Sequence, residues 1–123
     1  MAGIVHFANF FRYIEEAEHA FFRSLEMTIM HRQGDGSVIS WPRVNVNCSY
    51  EAPAFYDDLL SVQLTDLDIG VKSLTLFWDI VRDDKRLCRG EMKTVCCAFR
   101  PGERLSSIEV PSAVREKLES TSA

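Results

Sequence analysis

Two polar side chains, His6 and Asn9, stand in a short glycine-led run from Gly3 to Asn9 that leads straight into a stretch of helical periodicity. An imidazole and a carboxamide in that place can hold a water molecule or donate to a carbonyl, which is the work of positioned general acid and base groups. Gly3 lets the backbone come close to a bound group, or it merely permits a turn. His6 can equally be a satisfied structural histidine. Asn9 is well placed as a helix N-cap, its side-chain oxygen accepting from an early unpaired N–H. Glu18 is a candidate of another kind: at about 100° per residue it falls between Ile14, Phe21, Phe22 and Leu25, inside an apolar face. A carboxylate there is desolvated and its pKa is driven up, which is how a general base is made. Paired with an arginine, or set at a subunit seam, the same residue is structural.

Further charges group by position. Arg82, Lys85, Arg86, Arg89 and Lys93 cluster around a turn at Asp83-Asp84-Lys85, as an anion site or as ordinary solvated hairpin charge. Glu15 and Glu16 lie on a solvated helix face, where pairing with Arg12 or His19 contributes a few tenths of a kcal/mol. Asp57 and Asp58 read as turn formers. The four cysteines, Cys48, Cys88, Cys96 and Cys97, show no C-x-x-C spacing and no neighbouring histidine pair, so buried free thiols are expected in preference to a zinc site.

The elements that position these groups follow from periodicity. Phe10, Phe11, Ile14, Ala17, Phe21, Phe22 and Leu25 recur with helical spacing, with Arg12, Glu15, Glu16, His19 and Arg23 opposite, which predicts a helix from Phe10 to about Leu25. After the turn Gln33-Gly34-Asp35-Gly36, Val44, Val46, Cys48 and Tyr50 alternate with Asn45, Asn47, Ser49 and Glu51, as in a half-buried strand. Leu60, Val62 and Leu64 alternate in a second. From Ser73 to Val81 both faces are largely apolar, as in a strand that is central or covered at an interface. Leu87 to Phe99 reads as a last long strand with a bulge at Gly90, and Ser112 as the N-cap of a short final helix. One long helix followed by about four antiparallel strands in a meander predicts an α+β domain, a sheet curled around one helix, over residues 1–123.

Composition sets outer bounds. A chain of 123 residues, 46% hydrophobic and 26% charged, can bury a core without staples. Its formal charge of −4 argues against a general nucleic-acid binder. No apolar run approaches the roughly 18 residues that suggest a membrane span, and no signal-peptide layout opens the chain, so a cytoplasmic protein is expected.

The run Gly3-Ile4-Val5-His6-Phe7-Ala8-Asn9-Phe10-Phe11-Arg12-Tyr13 resembles the opening signature of the hot-dog-fold acyl-CoA thioesterases, in the hydroxybenzoyl-CoA thioesterase branch. Tyr50 to Leu60, Ile69 to Ser73 and Val110 to Arg115 resemble later segments of the family in the right order. The resemblance implies a hot-dog fold, hydrolysis of an acyl- or aroyl-CoA without metal or other cofactor, and a homodimer or homotetramer. It implies that the backbone N–H near Phe7 polarises the thioester carbonyl, that the arginines near the hairpin meet coenzyme A phosphates, and that Ser73 reaches substrate across a subunit boundary. The aspartate that acts on the thioester in this family would fall immediately before Met1, with a strand of about a dozen residues ahead of it, so a natural start upstream is expected. A non-catalytic acyl-CoA or acyl-carrier binding protein is the alternative, and a hydroxyl-dehydratase on the same fold is a further rival.

Overall fold

The computed structural model describes residues 8–27, 30–32, 34–55 and 58–121. Helix α1 (Ala8–Ser24) is followed by eight strands, β1 (Met30–Arg32), β2 (Val38–Ser40), β3 (Arg43–Tyr50), β4 (Ser61–Ile69), β5 (Ser73–Arg82), β6 (Lys85–Val95), β7 (Cys97–Phe99) and β8 (Ser106–Ser107), and then helix α2 (Ser112–Glu119). The strands form two antiparallel four-stranded sheets, ordered β1-β2-β7-β8 and β3-β6-β5-β4. This is the expected α+β arrangement, with the inner face of the larger sheet packed against α1. The expected four-stranded meander is corrected in two respects: the short strands β1, β2, β7 and β8 form a second sheet, and β4, β5 and β6 follow one another but β3 joins on the far side of β6.

The helix meets the sheet in a regular register. Phe10 stacks on Tyr50 with ring centroids 5.3 Å apart. Ile14 lies over Gly90, Glu18 reaches Arg43, and Phe22 stacks on Trp41 at 5.9 Å. Residues four apart on the helix thus meet progressively earlier positions of the β3 segment, so α1 runs antiparallel to it. Leu74, Leu76, Trp78 and Ile80 of β5, with Leu87, Cys88 and Met92 of β6, complete the buried cluster. The apolar two-faced strand is therefore a central one.

Gly90 is not a bulge, because its pairing with Cys48 and Trp78 is in register. A Cβ there would come within 2.5 Å of Ile14 Cδ1, so the glycine lets helix and sheet approach closely at this point. The irregularities fall elsewhere. On β6 the step from Arg86 to Cys88 opposes Val81 to Ile80, which makes Leu87 an extra residue and lets Leu87 and Cys88 both be buried. On β4 the extra residue is Thr65, after which Leu67 and Ile69 remain in phase with the core. The turn between Arg82 and Lys85 is Asp83-Asp84, both at positive φ (48° and 64°), as a two-residue hairpin loop of the I′ kind needs.

Three boundary expectations are also corrected. The long final strand divides at Cys96 into β6 and β7, since Cys96 N–H donates instead to Lys72 O. Ser112 is the first residue of α2, and Pro111 holds the cap position without a side-chain bond. Asn9 lies inside the first turn of α1, not ahead of it, because the helix already begins at Ala8.

Candidate active site

Gly3, His6 and Phe7 lie outside the described residues. What the structure supplies is the helix they lead into. The first N–H groups of α1 have no partner within the helix, and the helix dipole places positive potential there, so the Ala8 end suits a developing oxyanion. Asn9 belongs to that first turn.

Glu18 is fully buried on the sheet-facing side, as its place in the apolar stripe predicts. Arg43 Nη2 donates a short hydrogen bond to Glu18 Oε1, and Arg43 Nη1 lies 4.0 Å from Glu15 Oε2. The arginine reaches inward because of a bulge. Four residues of β3, from Arg43 to Val46, oppose three of β6, from Thr94 to Met92, with Val44 the extra one, so Arg43 and Val46 share the helix-facing side while Val44 is 58% exposed. The strict alternation expected for Val44 fails for that reason. Burial pushes the Glu18 carboxyl above its ordinary value, and Arg43 opposes the shift by charge and by hydrogen bonding. Glu18 Oε2 has no hydrogen-bond partner among the described residues.

The hairpin arginines are already engaged. Arg82 Nη1 donates to Asp58 Oδ2 at 2.7 Å, Arg89 Nε donates to Asp79 Oδ1 at 3.2 Å, and Arg86 Nε lies 2.8 Å from Glu51 Oε2 without hydrogen-bond alignment. Lys85 is exposed at the turn. Local carboxylates therefore answer the three arginines, while Lys85 and Lys93 stay exposed. Asp58 is more than a turn former: Phe55 N–H and then Arg82 hold its carboxyl below the usual range, so it stays an anion that ties the loop before β4 to the end of β5. Ser73 is half-buried at the opposite end of β5, beside Gly70. Nine strand steps, about 30 Å, separate it from Arg82, so within one chain the structure does not bring Ser73 together with the hairpin.

All four cysteines are free, three of them buried and Cys48 half-buried. Cys48, Cys88 and Tyr50 share hydrogen bonds beneath Phe10. Burial pushes the Cys88 thiol up to about 12 and the Cys96 thiol up to about 11. Thiols held neutral in this way are poor nucleophiles and poor metal ligands. Among the described residues no group of three or more His, Cys, Asp or Glu is placed to hold a metal ion.

The helix also borders a cleft. On the other flank of α1 an open cleft of about 400 Å³ runs between the helix and the start of β4, lined by Tyr13, Glu16, Ala17, Asp58, Leu60 and Val62. Tyr13 and Ala17 are four residues apart and lie beside the buried stripe, not within it. The small side chain of Ala17 among larger apolar neighbours was the available signal.

An antiparallel sheet packed on one helix is the arrangement of a hot-dog protein. The pattern of the thioesterase-like superfamily matches residues 1–118, and the chain belongs to that superfamily. Among characterised relatives, it is 28% identical over 120 residues to the 4-hydroxybenzoyl-CoA thioesterase of Pseudomonas sp. strain CBS-3, covering 90% of this chain and 82% of that one. Among solved structures, it is similar to a gentisyl-coenzyme A thioesterase, with 25% identity, a TM-score of 0.73, and 92% and 87% of the two chains covered. A hypothetical protein from Aquifex aeolicus matches with 28% identity, a TM-score of 0.75, and 94% and 86% covered. Among the described residues no helix is long and apolar enough to cross a membrane.

Proposed function

We propose that this protein is a one-domain thioester hydrolase that converts an acyl- or aroyl-CoA to the free acid and coenzyme A. Membership of the thioesterase-like superfamily over residues 1–118 carries the reading. The start of α1 supplies the electrostatics that the reaction needs. Water adds to the thioester carbonyl, the negative charge on its oxygen is held by N–H groups at the helix N-terminus, and collapse of the adduct breaks the C–S bond and releases the thiol after protonation. The backbone N–H near Phe7 is the proposed oxyanion donor, with His6 and Asn9 the side chains proposed to position water. Relatives named for hydroxybenzoyl and gentisyl thioesters favour the aroyl arm of the proposal. A homo-oligomer, dimer or tetramer, in which Ser73 reaches the site of a neighbouring subunit, belongs to the same proposal.

One observation favours the second reading, a protein that binds acyl-CoA or an acyl carrier without hydrolysing it. The single carboxylate on the buried face of α1, Glu18, is committed to Arg43 and closed to water. Thiol release from a panel of short, long and aromatic acyl-CoAs separates the two. Turnover above the buffer rate, reduced at least about tenfold in His6→Ala or Asn9→Ala, is expected. Tight binding of a thioether analogue with no thiol release from any member of the panel supports the binding protein.

A further inference from the structure

The cleft between α1 and β4 has the shape and the lining of a site for the non-reacting part of the substrate. Its floor is apolar, made by Tyr13, Ala17, Leu60 and Val62. Tyr13 is steadied by Phe10, whose ring centroid is 6.2 Å away in a tilted arrangement. Its rim is acidic. Asp58 is an anion largely answered by Arg82, whereas Glu16 is exposed and has no ion pair among the described residues. The cleft also lies at the right distance. At about 1.5 Å per residue, Tyr13 is roughly 8 Å along the helix axis from Ala8 and Ala17 roughly 14 Å. Those distances match the reach of a benzene ring or a chain of several carbons from a carbonyl held at the helix N-terminus. A volume of about 400 Å³ is in the range of small-molecule sites.

Resting on the thioesterase reading, we propose that this cleft receives the acyl group, that Ala17 sets how long that group can be, and that Glu16 selects uncharged acyl groups over those ending in a carboxylate. A leucine at position 17 fills the far end of the cleft, and loss of room for even one methylene discriminates by about 10 to 200-fold. An acyl carboxylate entering beside Glu16 meets a like charge at short range, where the repulsion in a partly exposed site is worth about tenfold in kcat/KM.

The test measures kcat/KM for acetyl-, hexanoyl-, benzoyl- and succinyl-CoA in wild type, Ala17→Leu and Glu16→Gln, alongside binding of the non-hydrolysable thioethers S-ethyl-CoA and S-hexyl-CoA by titration calorimetry. Ala17→Leu is expected to lower the hexanoyl-to-acetyl ratio at least tenfold and to weaken S-hexyl-CoA relative to S-ethyl-CoA. Glu16→Gln is expected to raise the succinyl-to-hexanoyl ratio about tenfold. Unchanged ratios in both variants, with folding confirmed by circular dichroism, overturn the proposal and leave the hydrolase reading standing. A wild type that releases no thiol, yet whose preference for S-hexyl-CoA is lost in Ala17→Leu, supports the cleft while refuting hydrolysis. Should Ala17→Leu fail to fold, Glu16→Gln on the exposed rim decides the charge selection by itself.

Discussion

The two flanks of α1 are built from the same helix and serve opposite ends. Towards β3 and β6 the helix is closed: Phe10, Ile14, Glu18 and Phe22 each meet a partner, and even the carboxylate is matched by a cation from the sheet. Towards β4 it is open, with Tyr13 and Ala17 facing a cleft. A filled interface contributes stability and has no room for a ligand, whereas an unfilled one gives up some packing and gains a site. The position of a charged residue decides its role in the same way. Glu18 faces the closed flank and is paired with Arg43, while Glu16, two residues earlier, faces the open one.

The largest expected effect lies on the closed flank. Arg43→Ala leaves a buried carboxylate without its cation and should destabilise the fold by about 3 kcal/mol at neutral pH in urea unfolding. The double variant Glu18→Leu/Arg43→Met, which removes both charges, should recover most of that loss. Full retention of stability in Arg43→Ala would show that the pair does not hold the helix to β3.

Gly90→Ala comes next. The added methyl collides with the buried Ile14 side chain, and a cost of about 1 to 3 kcal/mol is expected. Ile14→Val in the same background should restore part of it, a rescue that a purely conformational effect of the glycine does not predict.

The pH dependence of the closed flank sharpens the contrast. Glu18 has a folded-state pKa raised above its ordinary value, so the folded state holds this proton more tightly than the unfolded chain does. The stability linked to it is present below the ordinary carboxylate pKa and is lost as pH rises through the raised one. Arg43→Ala removes the main opposing influence and widens that window, so its destabilisation should shrink on going from pH 8 to pH 5. A cost that is the same at both values would mean that the carboxyl does not take up a proton when its cation is removed.

The smallest effect is expected at the β5–β6 hairpin. Arg89→Ala breaks a partly exposed pair with Asp79 and should change stability by no more than about 1 kcal/mol. It should leave kcat/KM for acyl-CoA within about twofold, because this arginine is already answered by a local carboxylate. A drop of tenfold or more, carried by a raised KM with kcat unchanged, would restore the hairpin as a phosphate site.

Periodicity made the helix, its buried stripe and the central strand legible, because Phe10, Ile14, Phe22 and the alternating Leu74, Leu76, Trp78 and Ile80 repeat at the spacing their elements impose. The family likeness was legible in the run from Gly3 to Tyr13. The inward turn of Arg43 was not, since a bulge adds one residue without any mark in composition and reverses every side chain beyond it. Nor was the neighbourhood of β3 and β6, which are far apart in sequence and paired only by the closure of the sheet. Gly90 was visible as an anomaly but admitted two explanations, and only the position of Ile14 above it chooses between them. The cleft is a space between elements, and its lining comes from segments more than forty residues apart.

On the proposed reading, the buried flank of α1 holds the fold while chemistry occurs at the helix N-terminus and along the open flank. Steady-state thiol release by Glu18→Gln, measured beside wild type on benzoyl- and hexanoyl-CoA, tests it most directly. A kcat within about threefold of wild type, with any loss appearing in stability, is expected. A fall of a hundredfold or more in kcat, in a variant that unfolds at the wild-type urea concentration, would contradict it and make Glu18 the base.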